Sequence, residues 1–181
     1  MTLGQVDAVS EKYNQDVAVE VKESQNMTGA DGIYTLAGKA QQPDAYMLMG
    51  RLGNHNKISF TVTTSNEWDK FGISMVRGSD SKKYYTMVVN PENENDRKIN
   101  FEEQGVEGKG FIAGIDGYVF ARPADNVYNI TIYTDNSICV MYINDVCSYT
   151  NRIYGIQKNC WSIDSFNGAN VKISNLKISQ Y

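Results

Sequence analysis

Histidine is nearly absent from this chain: His55, in the turn "GNHN", stands alone among 181 residues. A Ser-His-Asp triad or a histidine-rich metal site therefore lacks its usual material. Cysteine is scarce too, and Cys139, Cys147 and Cys160 are an odd number in no metal-ligand spacing, which reads as buried free thiols. A two-residue turn at Asn144 and Asp145 would put Tyr142 opposite Cys147 and Cys139 opposite Thr150, leaving the two sulfurs on opposite faces of the hairpin. A Cys139 to Cys147 disulfide is thereby disfavoured. No apolar run approaches the roughly 20 residues of a membrane span, and the first twenty residues lack the apolar centre of a signal peptide.

Clustered cations are missing as well. Seventeen Lys and Arg face twenty-one Asp and Glu, for a net charge of -4, so nucleic acid is not an expected partner. The glycines of "GVEGKGFIAG" have no following helix to make a phosphate site, and no stretch keeps a 3.6-residue apolar period.

What the chain has is alternation. Strands are expected over 16–21, 46–53, 57–64, 70–77, 83–90, 98–103, 117–122, 127–134, 138–143, 146–150, 160–164 and 170–179, separated by turn clusters such as "LGNHN", "RGSDSKK", "NPENEND" and "SFNGAN". Short strands at this spacing imply an all-β chain, a two-sheet antiparallel β-sandwich of jelly-roll or concanavalin-like type, filling residues 1–181 as one domain. Residues 1–15 read as disordered or extended, and the polar, glycine-rich stretch 23–45 as a long loop over a sheet edge. In the last strand the apolar phase changes between Ile173 and Leu176, which calls for a β-bulge near Ser174 and Asn175.

Catalytic signals are lacking. Acidic pairs such as Glu102 with Glu103 and Glu92 with Glu94 sit in charged segments where solvation explains them, and no strand carries a spaced carboxylate motif. No metal or cofactor is expected. Binding is better supplied: aromatics make up 11% of the chain, and sugar recognition combines aromatic faces with Arg, Asp and Asn for the hydroxyls. Asp135, Arg152, Tyr154 and Trp161 follow one another around the last hairpin and its exit. Arg77 and Arg51, each ending an apolar strand, are further candidates. The plainer readings stand beside these: a strand aromatic is more often core, and Arg152 with Asp135 is equally a structural ion pair.

The run "VYNITIYTDNSICVMYINDVCSYTNRIY" resembles the C-terminal β-sandwich of glycoside hydrolase family 32, the fructan-cleaving levanases, inulinases and invertases. Asp135 and Ser137 match that module's Asp-x-Ser, Tyr142 takes its Phe place, Asn144 and Asp145 its turn, and Thr150, Arg152 and Ile153 its Thr-x-Arg-Ile. Val140 stands where Glu is usual, and Asn136 where Arg is frequent. The closing "NVKISNLKISQY" is similar to the terminal strand. "GRLGNHNKISFTVTTS" and "DKFGISMVRGSDSKKYYTMVVN" look like modules attached to such enzymes in gut Bacteroidetes. The propeller motifs of the catalytic domain, Trp-x-Asn-Asp-Pro, Arg-Asp-Pro and Glu-Cys, do not occur here.

The resemblance implies an accessory module of a larger, exported enzyme, periplasmic, cell-surface or secreted, related to a levan-binding module. Its implied partners are a polysaccharide or oligosaccharide, fructan first, and a catalytic propeller in the same parent chain. Three roles stay open: a carbohydrate-binding module using Asp135, Arg152, Tyr154, Trp161 and Arg77, a structural buttress for the propeller, and a concanavalin-like glycosidase.

Overall fold

A computed structural model of the chain describes residues 7–42, 44–77, 84–91, 98–104 and 118–181. The turns expected over 78–83 and 92–97, with Glu92 and Glu94, and the glycine-rich run 105–114 lie outside them.

Alternating sequence becomes two antiparallel sheets. The first runs β13 (Cys147–Arg152), β12 (Ile138–Ile143), β11 (Val127–Asp135), β6 (His55–Thr64), β15 (Asn170–Gln180), β4 (Ile33–Ala37), β3 (Met27–Ala30), with β1 (Gln15–Val17) also beside β15. The second runs β10 (Tyr118–Val119), β9 (Lys98–Gln104), β8 (Tyr84–Asn90), β7 (Lys70–Met75), β14 (Trp161–Phe166), β5 (Ala45–Met49), β2 (Val21–Gln25). The fold is an all-β sandwich.

Strand β6 shows why. Its residues alternate without a break between half-buried and buried along ten positions, so Ile58, Phe60 and Val62 face inward while Lys57, Ser59 and Thr61 face out. Pairing with β11 and β15 carries the same phase into Tyr128, Ile130 and Ile132 and into Val171 and Ile173. The second sheet answers with Met47, Met49, Phe71, Ile73, Met75, Met87, Trp161 and Ile163, all buried. Phe71 meets Tyr128 across the gap with ring centroids 5.1 Å apart. Each such side chain contributes about 1.5–3 kcal/mol of transfer free energy.

Asn56 breaks the apolar rule at an inward position of β6. Fully buried, it donates to Thr134 Oγ1 at 2.7 Å and Gly53 O at 2.8 Å, and accepts from Gln180 Nε2 at 2.7 Å and Gly53 N at 3.0 Å. One amide thus ties the 50–54 loop, β11 and the last strand together.

Several expectations need correction. The 23–45 stretch is not a loop: it folds into the β3–β4 hairpin at a sheet edge. Its turn residues Asp31 and Gly32 take positive φ of 52° and 81°, and at Gly29 a Cβ would lie 2.3 Å from Ile33 O. These strands escape an alternation search because Leu36 is their one fully buried side chain. Near the start of the chain, Asp7–Ser10 forms a helical turn, α1. Lys57 Nζ donates to Ser10 Oγ, and Tyr13 packs on Tyr133 and Tyr181 with centroids 5.2 and 4.9 Å apart. Burial, reinforced by Tyr181, Asp135 and Tyr133, pushes the Tyr13 hydroxyl up to about 12.

The β12–β13 hairpin turns at Asn144 and Asp145, both at positive φ, but Val146 is an extra residue. Ile143 therefore faces Cys147 and Cys139 faces Asn151. Both sulfurs point into the core on the same face, four residues of strand apart, about 13 Å. The thiols are free because of that distance, not because of opposite faces. The phase change in β15 is a register shift between Ser174 and Lys177, with Asn175 at a φ of 56°.

Two expected outcomes follow from the core. Asn56→Ala strands the polar atoms that Asn56 satisfies and lowers stability by about 2–4 kcal/mol, measurable by urea unfolding; a loss below about 0.5 kcal/mol would contradict the network. Burial pushes the Cys139 thiol up to about 12 and raises Cys147, whereas Cys160 is partly exposed. Iodoacetamide at mildly alkaline pH accordingly labels the native chain at Cys160 alone and all three thiols in denaturant, read by mass spectrometry.

Candidate functional site

The polar chemistry of this chain concentrates on the outward face of the second sheet. Register places Asn100, Val88, Gly72, Asp164, Tyr46 and Gln25 in one row across it, and Glu102, Thr86, Ser74, Ser162, Leu48 and Glu23 in the next. Asp164 is outward because its neighbours Ile163 and Ser165 point in, yet it is 4% exposed.

A backbone irregularity supplies its partner. Val76, a β-branched residue, sits at a φ of 62°, a conformation costing on the order of 1–3 kcal/mol. Pairing resumes one residue late, with Arg77 N donating to Cys160 O at 2.9 Å. The bulge lets Val76 pack on the core and brings Arg77 to the outer face beside Asp164.

There the hydrogen bonds form a relay. Arg77 Nη1 donates to Asp164 Oδ1, and to Ser162 Oγ at 2.7 Å. Ser162 Oγ and Ser74 Oγ donate to Asp164 Oδ2 at 2.9 and 2.6 Å, so Thr86 Oγ1, 2.8 Å away, donates to Ser74. The Arg77 guanidinium carbon lies 4.3 Å from the Tyr46 ring centroid and 4.8 Å from that of Tyr84, and Tyr46 donates to Glu23. Among the described residues, nothing engages Arg77 Nε or Nη2. At its rim this surface offers two tyrosine rings, the Arg77 guanidinium, and the side chains of Gln25, Glu102 and Gln104.

Burial raises Asp164 above the usual carboxylate range, while Arg77, Ser74 and Ser162 pull it down. Removing Arg77 leaves an uncompensated buried charge, worth about 3–5 kcal/mol. Arg77→Ala should therefore lose stability at neutral pH. The folded state of the variant takes up a proton on Asp164 more readily than the unfolded chain does, so its deficit against wild type shrinks as pH falls into the carboxylate range. Paired urea melts at neutral and acidic pH check this; a deficit that stays constant would show that Asp164 is not the uncompensated group.

The structure separates the residues singled out from sequence. Trp161 is 1% exposed and packs in the core opposite Met49, so its ring presents no stacking surface, a correction to its role as a sugar platform. Arg77 belongs to the network just described. Asp135 and Arg152 lie on the other sheet, and Tyr154 in the turn that follows β13. Asp135 and Arg152 flank Ile138 on neighbouring strands, but they do not pair: Asp135 contacts His55 Nδ1 at 3.2 Å, and Arg152 donates weakly to Ser137 Oγ at 3.4 Å. Tyr154 is 72% exposed. Arg51 lines a cavity of about 470 Å³ with Leu52, Lys22 and Cys160. Among the described residues no group of three His, Cys, Asp or Glu is arranged for a metal, and no helix is long and apolar enough to cross a membrane. The residues missed were Asp164, Tyr46 and Tyr84; an Asp alternating with Ser inside the apolar run "WSIDSF" was the available signal for the first.

Comparison with known proteins gives the family and the fold. The chain belongs to the family of GH32, BT1760-like, C-terminal domains, matched over residues 1–178. No match to a curated protein sequence is found. In structure it is similar to the carbohydrate binding module CBM66 from Bacillus subtilis, at a TM-score of 0.67 and 10% identity over 90% of this chain and 95% of that one. It is also similar to the Caenorhabditis elegans galectin LEC-6, at a TM-score of 0.55 and 10% identity over 78% and 94%. The Aspergillus kawachii β-fructofuranosidase, complexed with glycerol, gives a TM-score of 0.59 and 11% identity over 97% of this chain but 29% of that one. The chain is thus an accessory C-terminal domain with the fold of a carbohydrate-binding module.

Proposed function

We propose that the chain is a non-catalytic carbohydrate-binding module of a fructan-degrading family 32 glycoside hydrolase, working in the periplasm, at the cell surface or outside the cell. The observation that carries this reading is the Arg77 cluster: a guanidinium fixed between Tyr46 and Tyr84, with its remaining donors unengaged among the described residues, on the outward face of a sheet. Rings held in place offer stacking surface at little entropic cost, and a pre-oriented guanidinium donates to vicinal hydroxyls. The Asp164 carboxylate is occupied by three donors and Glu23 by Tyr46, which suits holding rather than proton transfer. Fructan as the sugar rests on the family.

A second contact surface is favoured by the other sheet. Ile138, between Asp135 and Arg152 in register, is 40% exposed, and Tyr154, in the turn after β13, is 72% exposed; these groups suit the catalytic propeller of the parent chain.

Isothermal titration with levan, inulin and fructose tests both assignments. Tyr46→Ala and Tyr84→Ala each weaken binding by about tenfold, while Asp135→Ala, Arg152→Ala and Tyr154→Ala leave it unchanged. If wild type gives no heat with any of the three, the sugar-binding reading fails; loss confined to the second set of variants would move the site to the first sheet.

A further inference from the structure

Strand β14 carries the outward face past Asp164 to Phe166, whose ring packs over Gly72, where a Cβ would lie 3.0 Å from Phe166 Cε2. Beyond it opens a groove of about 400 Å³, lined by Trp68, Lys70, Phe166, Asn66, Asn90 and Asn167. Trp68 is 42% exposed, although it stands in the loop between two buried strands where an indole gains little from water contact.

Its surroundings hold it there. The Arg122 guanidinium carbon lies 5.3 Å from the Trp68 ring centroid, and Arg122 is itself fixed by Glu67 at 2.7 Å and by Asn126 Oδ1 at 3.1 Å. The indole is braced by a cation on one side while much of its surface stays open to solvent. Asp69 accepts from the Asn66 backbone N–H at 2.9 Å, which shapes the loop and occupies the carboxylate. Lys70 lies over Phe166, 5.7 Å from its centroid.

Among the described residues the charges around this groove cancel, with Lys70 and Arg122 against Glu67 and Asp69. What the groove presents to a ligand is a fixed indole, a phenyl ring and the side-chain amide of Asn167. That combination fits a neutral molecule with an apolar face and many hydroxyls, and suits neither an anion nor a cation.

We infer that the Trp68 groove is a second sugar subsite on the same sheet face as the Arg77 cluster, so that the module takes an oligosaccharide of several units rather than one terminal sugar. This rests on the sugar-binding reading above. From Ser162, beside Arg77, to Phe166 the track runs four residues along β14, about 13 Å, longer than a single sugar ring covers.

The chain has two tryptophans, and Trp161 is 1% exposed, which makes iodide quenching of the full chain a report on Trp68. Levan and inulin oligosaccharides protect Trp68 from iodide, whereas fructose does not. Trp68→Ala binds the oligosaccharides about tenfold more weakly with fructose affinity unchanged, and Trp68→Phe keeps most of the affinity. Tyr46→Ala weakens both ligands. Oligosaccharide binding that is sensitive to Tyr46→Ala but indifferent to Trp68→Ala, with quenching unchanged, would overturn this inference and leave the sugar-binding reading standing. Failure of wild type to bind any of fructose, levan oligosaccharides and inulin oligosaccharides would remove both.

Discussion

A carboxylate taken out of water on the face of a β-sheet must be paired, and the outward face of the second sheet is organised around that requirement. Asp164 is paired by Arg77, and Arg77 reaches it because the backbone is bent at Val76. Ser162 and Ser74, in the neighbouring row of the sheet, donate to its second oxygen, and Thr86 donates in turn to Ser74. Tyr46 and Tyr84 then close over the guanidinium. Removing Arg77, Ser74 or Ser162 leaves Asp164 short of a donor in low dielectric, so these four groups behave as a unit.

The two sheets divide the work. The first is organised by β6, whose alternation sets the register of β11 and β15, with Asn56 fastening the loop that leads into it. Its outer surface is covered in part by the first turn of chain, through Ser10 and Tyr13. The second sheet has an outer surface built from rings, hydroxyls and paired charges. A sandwich of this kind exposes one polar, ring-bearing face without compromising the apolar layer behind it, because side chains alternate between the two.

Much of the fold was legible because period-two burial is written directly into strands such as "HNKISFTVTT" and "VYNITIYTD". Where alternation was weak, in the exposed β3–β4 hairpin, it gave no signal and the segment read as a loop. The extra residue Val146 moved the last hairpin by one position and turned Cys147 inward, since a turn's loop length is not fixed by an Asn-Asp pair alone. The site was less legible. Arg77 could be named as a strand end, but its partner Asp164 is remote in sequence, and the bend at a valine that joins them is not a choice local propensity suggests. Trp161 was misread as a sugar platform because sequence cannot tell which face of a strand an aromatic takes. Trp68 passed unnoticed for the opposite reason, being outside every strand.

The first and last strands lie side by side, Gln15 opposite Gln180 and Val17 opposite Ile178. Tension applied at the two ends of this domain would load their ladder one rung at a time, as a zipper opens, and not all rungs together in shear. The short β1, three pairs long, would peel away at low force while β6, β11 and most of β15 stayed paired, leaving the polar face of the opposite sheet assembled.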